Sequence, residues 1–159
     1  MAIYLKIEGA EGDVTESGHK SWVELLDVRW HMSRTIRSAV GVGTNRESTS
    51  AYVSEVTVKK YVDSASKGIA SLAFVGTAKD ATIEFTRVDK GQEATYRKLV
   101  LTDAIISGLA NEAAGSARPE EIITLNFTKI AITDTDQKDD GTQGSPATTT
   151  YNLATAQTE

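Results

Sequence analysis

Apolar residues recur along this chain with a period of two, the spacing that puts alternate side chains on one face of an extended strand. Ile3, Leu5 and Ile7 alternate with Tyr4 and Lys6. A longer run places Trp22, Leu26, Val28, Trp30 and Met32 on one parity and Asp27, Arg29 and His31 on the other. Val56 and Val58 flank Thr57, Ile83 and Phe85 sit among Thr82, Glu84 and Thr86, and Leu99 and Leu101 lead into Ala104, Ile105 and Ile106. Each stretch predicts a strand. The last long stretch, 122–133, changes phase: Ile123, Leu125 and Phe127 share one parity, Ile130 and Ile132 the other, which predicts a bulge or burial of both faces.

One segment, about 64–75, follows helical spacing instead. Ala65, Ile69, Leu72 and Ala73 fall four and three apart, Asp63 or Ser64 can cap the start, and Gly76 can end the helix in a left-handed conformation. Gly68 weakens its middle. Many strands, one helix and no βαβ alternation predict a mainly β fold: an antiparallel β-barrel or sandwich with one short flanking α-helix. Neither a repeat nor a boundary divides residues 1–159, which read as a single domain.

Composition narrows the function more than the fold. With 40% hydrophobic residues and two prolines in 159 residues, the chain is an ordinary globule able to build a core without staples. The absence of cysteine excludes disulfides, thiol catalysis and cysteine-ligated metals. A net charge of −5 has the wrong sign for a phosphate backbone or an anionic membrane, so neither nucleic acid nor membrane insertion is expected. The first eight residues lack the basic and apolar regions of a Sec signal peptide, and no apolar run approaches the roughly 18 residues of a membrane span. The expectation is synthesis in the cytoplasm, with any export following a route that reads no cleavable signal.

Charge is unevenly placed. Segment 8–18 carries Glu8, Glu11, Asp13 and Glu16 with no Lys or Arg and reads as an acidic end loop. Segment 33–50 carries Arg34, Arg37 and Arg46 against Glu47, and reads as a long basic loop. Segment 134–150 reads as a polar third loop. If the first strands run up, down and up, the acidic and basic loops leave opposite ends of the barrel.

Motifs that imitate active sites are better explained blandly. Gly41-Val42-Gly43-Thr44-Asn45-Arg46 puts arginine at the third glycine position of a dinucleotide fingerprint, with no strand-to-helix turn around it. Asp134-Thr135-Asp136 opens like a calcium loop, but Lys138, Asp139 and Ser145 fill ligand and turn positions wrongly. Asn126-Phe127-Thr128 is a glycosylation sequon inside a strand. Ser64-Ala65-Ser66-Lys67 matches S-x-x-K, in which lysine activates serine, yet its companions S-D-N and K-T-G are absent, and helix capping is the better account. His19 and His31 show no ligand spacing and read as exposed or hydrogen-bonded strand residues. No catalytic residue, metal site or cofactor is therefore expected, and a structural or binding role is favoured.

The ordered features resemble the Hcp family, the haemolysin-coregulated proteins of type VI secretion. The likeness lies in Leu5-Lys6-Ile7 followed by Gly12 and the acidic loop, and in His19 leading into Trp22-Val23-Glu24-Leu25-Leu26-Asp27-Val28-Arg29-Trp30. It continues through Val56-Thr57-Val58-Lys59-Lys60-Tyr61-Val62-Asp63 to Ser66, and through Arg118-Pro119-Glu120-Glu121 to Ile123-Thr124-Leu125-Asn126-Phe127. Lys67 departs from the proline common at the family's helix start, and His31-Met32 from a small residue.

The resemblance implies hexameric rings that stack head to tail into the inner tube of a type VI system. It also implies a contractile sheath and a VgrG-type spike as partners, effectors held in the lumen, and delivery outside the cell. Opposite charges on opposite ends suit such stacking. Arg34, Ile36, Arg37, Val40, Val42 and Arg46 are the expected stacking residues of the basic loop, and Glu8, Glu11, Asp13 and Glu16 their acidic partners. Two alternatives stand beside the tube subunit: a monomeric ligand-binding β-barrel without catalysis, and an S-x-x-K hydrolase using Ser64.

Overall fold

A computed structural model describes residues 1–38 and 46–159, and in its strands the alternation becomes antiparallel pairing. The strands are β1 (Ala2–Ile7), β2 (Val23–Glu24), β3 (Asp27–Arg29), β4 (Met32–Ser33), β5 (Ile36–Ser38), β6 (Arg46–Ser48), β7 (Tyr52–Val53) and β8 (Val56–Tyr61). Helix α1 (Ser66–Val75) follows, then β9 (Lys79–Asp89), β10 (Gln92–Glu112), β11 (Glu120–Asn126), β12 (Lys129–Gln137), β13 (Gln143–Asn152) and β14 (Gln157–Thr158). The expected mainly β architecture with one helix is observed.

Strand β10 belongs to two sheets. Its first half pairs with β9 on one side and β12 on the other, giving the order β2-β1-β9-β10-β12-β13-β14. Its second half pairs with β11, continuing to β8 and β3. Leu5, Val23, Ile83, Leu99 and Leu101 from the first sheet and Val56, Val58, Ile123 and Leu125 from the second form one buried cluster. A two-residue turn, Lys90 and Gly91 with φ of 49° and 82°, joins β9 to β10 in the positive-φ geometry that suits a twisted hairpin.

The phase change in 122–133 marks a corner between the sheets, so one expected strand is two. Phe127 and Thr128 separate β11 from β12 opposite the point where β10 itself bends. There Asp103 has φ of 51° and its N–H donates to Asp80 Oδ1 at 3.0 Å. The N–H of Thr128 donates to the Thr102 carbonyl at 3.0 Å. Each side of the corner alternates correctly, but inward parity is reset across it. The run 22–32 breaks for the same reason. Leu25 donates its N–H to Ile3 in the first sheet, and Leu26 to Lys59 in the second. Before the break the buried residues are Val23 and Leu25, off the expected parity, and Leu26 is exposed; after it Val28 and Trp30 pack against the core on the expected parity.

Among the described residues, both of the longest expected loops contain paired strands. Segment 134–150 is largely the β12–β13 hairpin, pinned by Arg97 gripping Asp134 through Nε at 2.6 Å and Nη2 at 3.0 Å. Segment 33–50 is most of a two-stranded arm in which Met32 pairs with Val53, Ser33 with Tyr52, Ile36 with Ser48 and Arg37 with Glu47.

Helix α1 starts at Ser66 rather than 64. Its first N–H groups find no side-chain cap on Ala65. Instead Asp63 Oδ1 accepts from the Ala65 N–H at 2.9 Å, and Ser64 turns away. The expected apolar stripe is observed: Ala65 and Ile69 are buried, and Leu72 and Ala73 pack against the core. Gly76 ends the helix at φ 71°, donating to the Leu72 carbonyl at 2.9 Å.

Gly68 has a reason that helix propensity does not supply. A Cβ there would stand 2.1 Å from the Gly9 carbonyl oxygen, so the helix reaches the turn after β1 only because this position has no side chain. Gly68→Ala removes a helix-weakening residue, a gain of about 1 kcal/mol by propensity alone. Overpacking against backbone costs roughly 1–3 kcal/mol, so a net loss of stability is expected in urea unfolding. A higher unfolding midpoint would refute the close approach.

Candidate functional site

The exposed chemistry collects at the two ends of β8, a strand of six residues and about 20 Å. The arm enters β8 through Val53 and leaves β3 beside Thr57. Tyr61 at the far end leads into Asp63 and α1, where the acidic segment returns. Ser64 Oγ donates to the Glu11 carbonyl at 3.0 Å, and the Ser64 N–H to Asp13 Oδ2 at 3.3 Å. The Ser64 hydroxyl and N–H beside it hold the Asp13 carboxyl below its ordinary value. In the S-x-x-K stretch the Ser64 hydroxyl thus donates to the acidic segment, and Lys67 is exposed on the helix.

On the arm, Arg34 and Arg37 are exposed, as are Met32 at 57%, Ile36 at 57% and Tyr52 at 60%. Val40 and Val42 lie outside the described residues, and of Arg46 the backbone alone is described, paired with Ser38. Open clefts of about 820 and 600 Å³ flank the arm's base, with Trp30, Val53 and Tyr151 lining both. His31 donates its backbone N–H to Ser54 Oγ at 2.8 Å and sets its ring near Tyr52.

At the acidic end, Glu8 pairs with Lys79 at 3.0 Å, and Glu11 and Asp13 are exposed. Glu16 is turned inward. Its carboxylate accepts from the Gly18 N–H at 3.0 Å and from Ser17 Oγ at 3.1 Å, and meets His19 Nδ1 at 2.7 Å. The Gly18 and His19 bonds hold its carboxyl below the ordinary value. His19 is a buried turn residue, not the strand residue expected, with Nε2 2.9 Å from Glu84 Oε2 on β9. Burial would push the Glu84 carboxyl up, but bonds from His19 and Thr95 outweigh it and hold the group down. Beside the histidine, burial and a bond to Glu93 push the Tyr4 hydroxyl up to about 12, so it remains a donor. At the C-terminal end of α1, Phe74 and Val75 are exposed apolar residues, 88% and 74% accessible.

Beneath the acidic end lies an ionic cluster missing from the expected site residues. Lys60 is fully buried, its Nζ 2.7 Å from Glu121 Oε2, 2.8 Å from Asp63 Oδ1 and 3.2 Å from Ser66 Oγ. Ser66 Oγ donates to Glu121 Oε2 at 2.8 Å and accepts the Asp63 N–H at 3.1 Å. Lys60 and Glu121 face each other across the β8–β11 ladder. The cluster thus ties two strands to the helix start, and through Ser64 to the acidic segment. Arg118, stacked 4.5 Å over Tyr61 and donating to the Val62 carbonyl, closes its outer side.

Lys60→Met strands two carboxylates in the interior and is expected to cost about 3–5 kcal/mol in chemical denaturation. Adding Glu121→Leu should recover part of that loss. A double variant as unstable as the sum of the single ones would refute the coupling.

A family profile described as "Type VI secretion system effector, Hcp" matches residues 4–133. Comparison with curated protein sequences yields no match. Among solved structures, one titled "Structure of a type six secretion system protein" superposes with a TM-score of 0.90 at 22% identity, covering 99% of each chain. Hcp1 from Salmonella typhimurium gives 0.78 at 22% identity over 99% of this chain and 98% of its own. A type VI secretion system effector from Yersinia pestis gives 0.73 at 22% identity over 94% and 98%. At these identities the structural likeness shows the fold, and the profile, spanning four-fifths of the sequence, shows the kinship: the chain belongs to the Hcp family, the tube proteins of type VI secretion.

Proposed function

We propose that six copies of this chain close into a ring and that rings stack head to tail, arm to acidic end, into a tube. The sheath contracts around this tube, a VgrG-type spike tips it, and its lumen holds effectors. The observation that carries the reading is the polarity of the molecule. One end of β8 offers Arg34 and Arg37 among exposed apolar residues; the other offers Glu11 and Asp13, both exposed and held to the helix start by Ser64.

A head-to-tail contact needs two different, complementary faces on one subunit, which this distribution supplies. A two-stranded ribbon on its own is marginal in water, and a partner seated against the arm would stabilise it. For lateral closure, β13 has a free side among the described residues: β14 pairs with Tyr151 and Asn152, leaving residues 143–149 open to strand addition. The ligand-binding alternative finds less support. The barrel interior is filled by Leu5, Ile83, Leu99 and Leu101, and the clefts beside the arm are open.

Exposed ion pairs are individually weak, but six repeats per ring act together. Reversing Arg34 and Arg37 to Glu is expected to abolish tubes in negative-stain images while light scattering still reports rings. Collapse to monomers would assign the arm to the lateral interface, and unchanged tubes would defeat the electrostatic account. We also expect no hydrolytic turnover; ester or peptide hydrolysis abolished by Ser64→Ala would restore the enzyme reading.

A further inference from the structure

We propose that His19 is a pH-operated latch: protonated, it fastens the turn at residues 15–20 to β1 and β9, and on losing its proton it lets that turn open. The inference goes beyond the tube reading and does not depend on it.

The latch is visible in the hydrogen bonding. Both ring nitrogens face carboxylate oxygens, Nδ1 to Glu16 Oε2 at 2.7 Å and Nε2 to Glu84 Oε2 at 2.9 Å. An ionised carboxylate only accepts, so both contacts are hydrogen bonds only when both nitrogens carry protons, as in the imidazolium ion. A neutral ring would point a lone pair at one carboxylate in a site 6% exposed, an unsatisfied and repulsive contact.

His19 is also the sole buried residue within 11–22. Among the hydrogen bonds described for residues 15–20, the one from His19 to Glu84 alone reaches beyond residues 11–22; the bonds to Glu16 and the backbone bond from Trp22 stay within that stretch. The remaining grip is aromatic. Tyr4 stacks on the imidazole at 4.4 Å and Trp22 meets it edge-on at 4.9 Å.

The surrounding charge favours the protonated form. Glu16 approaches from the turn, Glu84 from β9, and Glu93 from β10 through the Tyr4 hydroxyl, with Glu24 of β2 near that tyrosine. Opposing them are Lys98 of β10, 3.6 Å from Glu84, and Lys6 of β1 over Trp22. Burial by itself would lower the histidine's pKa, but the bonds from Glu84 and Glu16 outweigh it and raise the group above its ordinary value. A raised value in the closed state means the latch holds fully below about pH 6.5 and is lost as pH rises through the closed-state value.

The full chain tests this directly with 13C-labelled histidine NMR and hydrogen exchange from pH 5 to 9. His19 is expected to titrate above 6.5. Protection of amides 15–20, corrected for intrinsic exchange, is expected to fall by up to about tenfold per pH unit between 6.5 and that midpoint, then level off. Amides of β8 and α1 serve as unmoved references. Glu84→Gln should lower the midpoint, and His19→Gln should leave the turn open at every pH. Titration of His19 at or below 6.5 in the wild-type chain, or protection flat across its midpoint, would overturn the proposal even if the variants fail to fold.

Discussion

An ammonium group cannot be left alone in a protein interior, and that constraint organises this molecule. Lys60 sits at zero exposure, so the chain must bring carboxylates to it. Glu121 arrives by strand pairing and Asp63 by the turn that leaves β8, with Ser66 bridging the two at the first residue of the helix. Once that start is fixed, α1 can lie in one way only, with Ile69 in the core and Gly68 against the Gly9 carbonyl. Ser64, freed from capping, reaches the acidic segment instead. The position of one molecular end thus descends from a buried cation.

That cluster is legible in the pattern of the chain once its phase is followed. Lys60 continues the inward parity of Val56 and Val58, and Glu121 begins that of Ile123 and Leu125. A lysine and a glutamate in core phase on neighbouring strands indicate a buried pair rather than two exposed side chains. The stretches that carried the family resemblance contain these residues, so the likeness rested partly on this interaction. Glu84, by contrast, alternates outward like any exposed strand residue. Only the turn that lays His19 beside it gives it a role, and no local spacing announces that.

The corners were hidden for a different reason. A strand that passes from one sheet to the next keeps its extended backbone, and period-two arithmetic reports the extension but not the change of partner. At 127–128 the shift in phase betrayed the corner. At Leu25–Leu26 the chain between Trp22 and Met32 offers apolar residues on both parities, so one parity was read through a break before which Val23 and Leu25, and after which Val28 and Trp30, meet the core. The arm was misread because Thr, Ser and Arg dominate it; its pairing is satisfied by backbone geometry with no core face to reveal it.

The shared strand also dictates when the molecule can form. β1 finds its partner in β9, with Tyr4 opposite Glu84, and β9 in turn requires β10, whose two halves require β12 and β11. A ribosome must therefore deliver nearly the whole chain before the first strand can be enclosed. Contacts so distant in sequence make for slow folding, with apolar edges waiting unpaired in the meantime. The rate of barrel closure therefore sets how long those edges stay uncovered on a newly made chain.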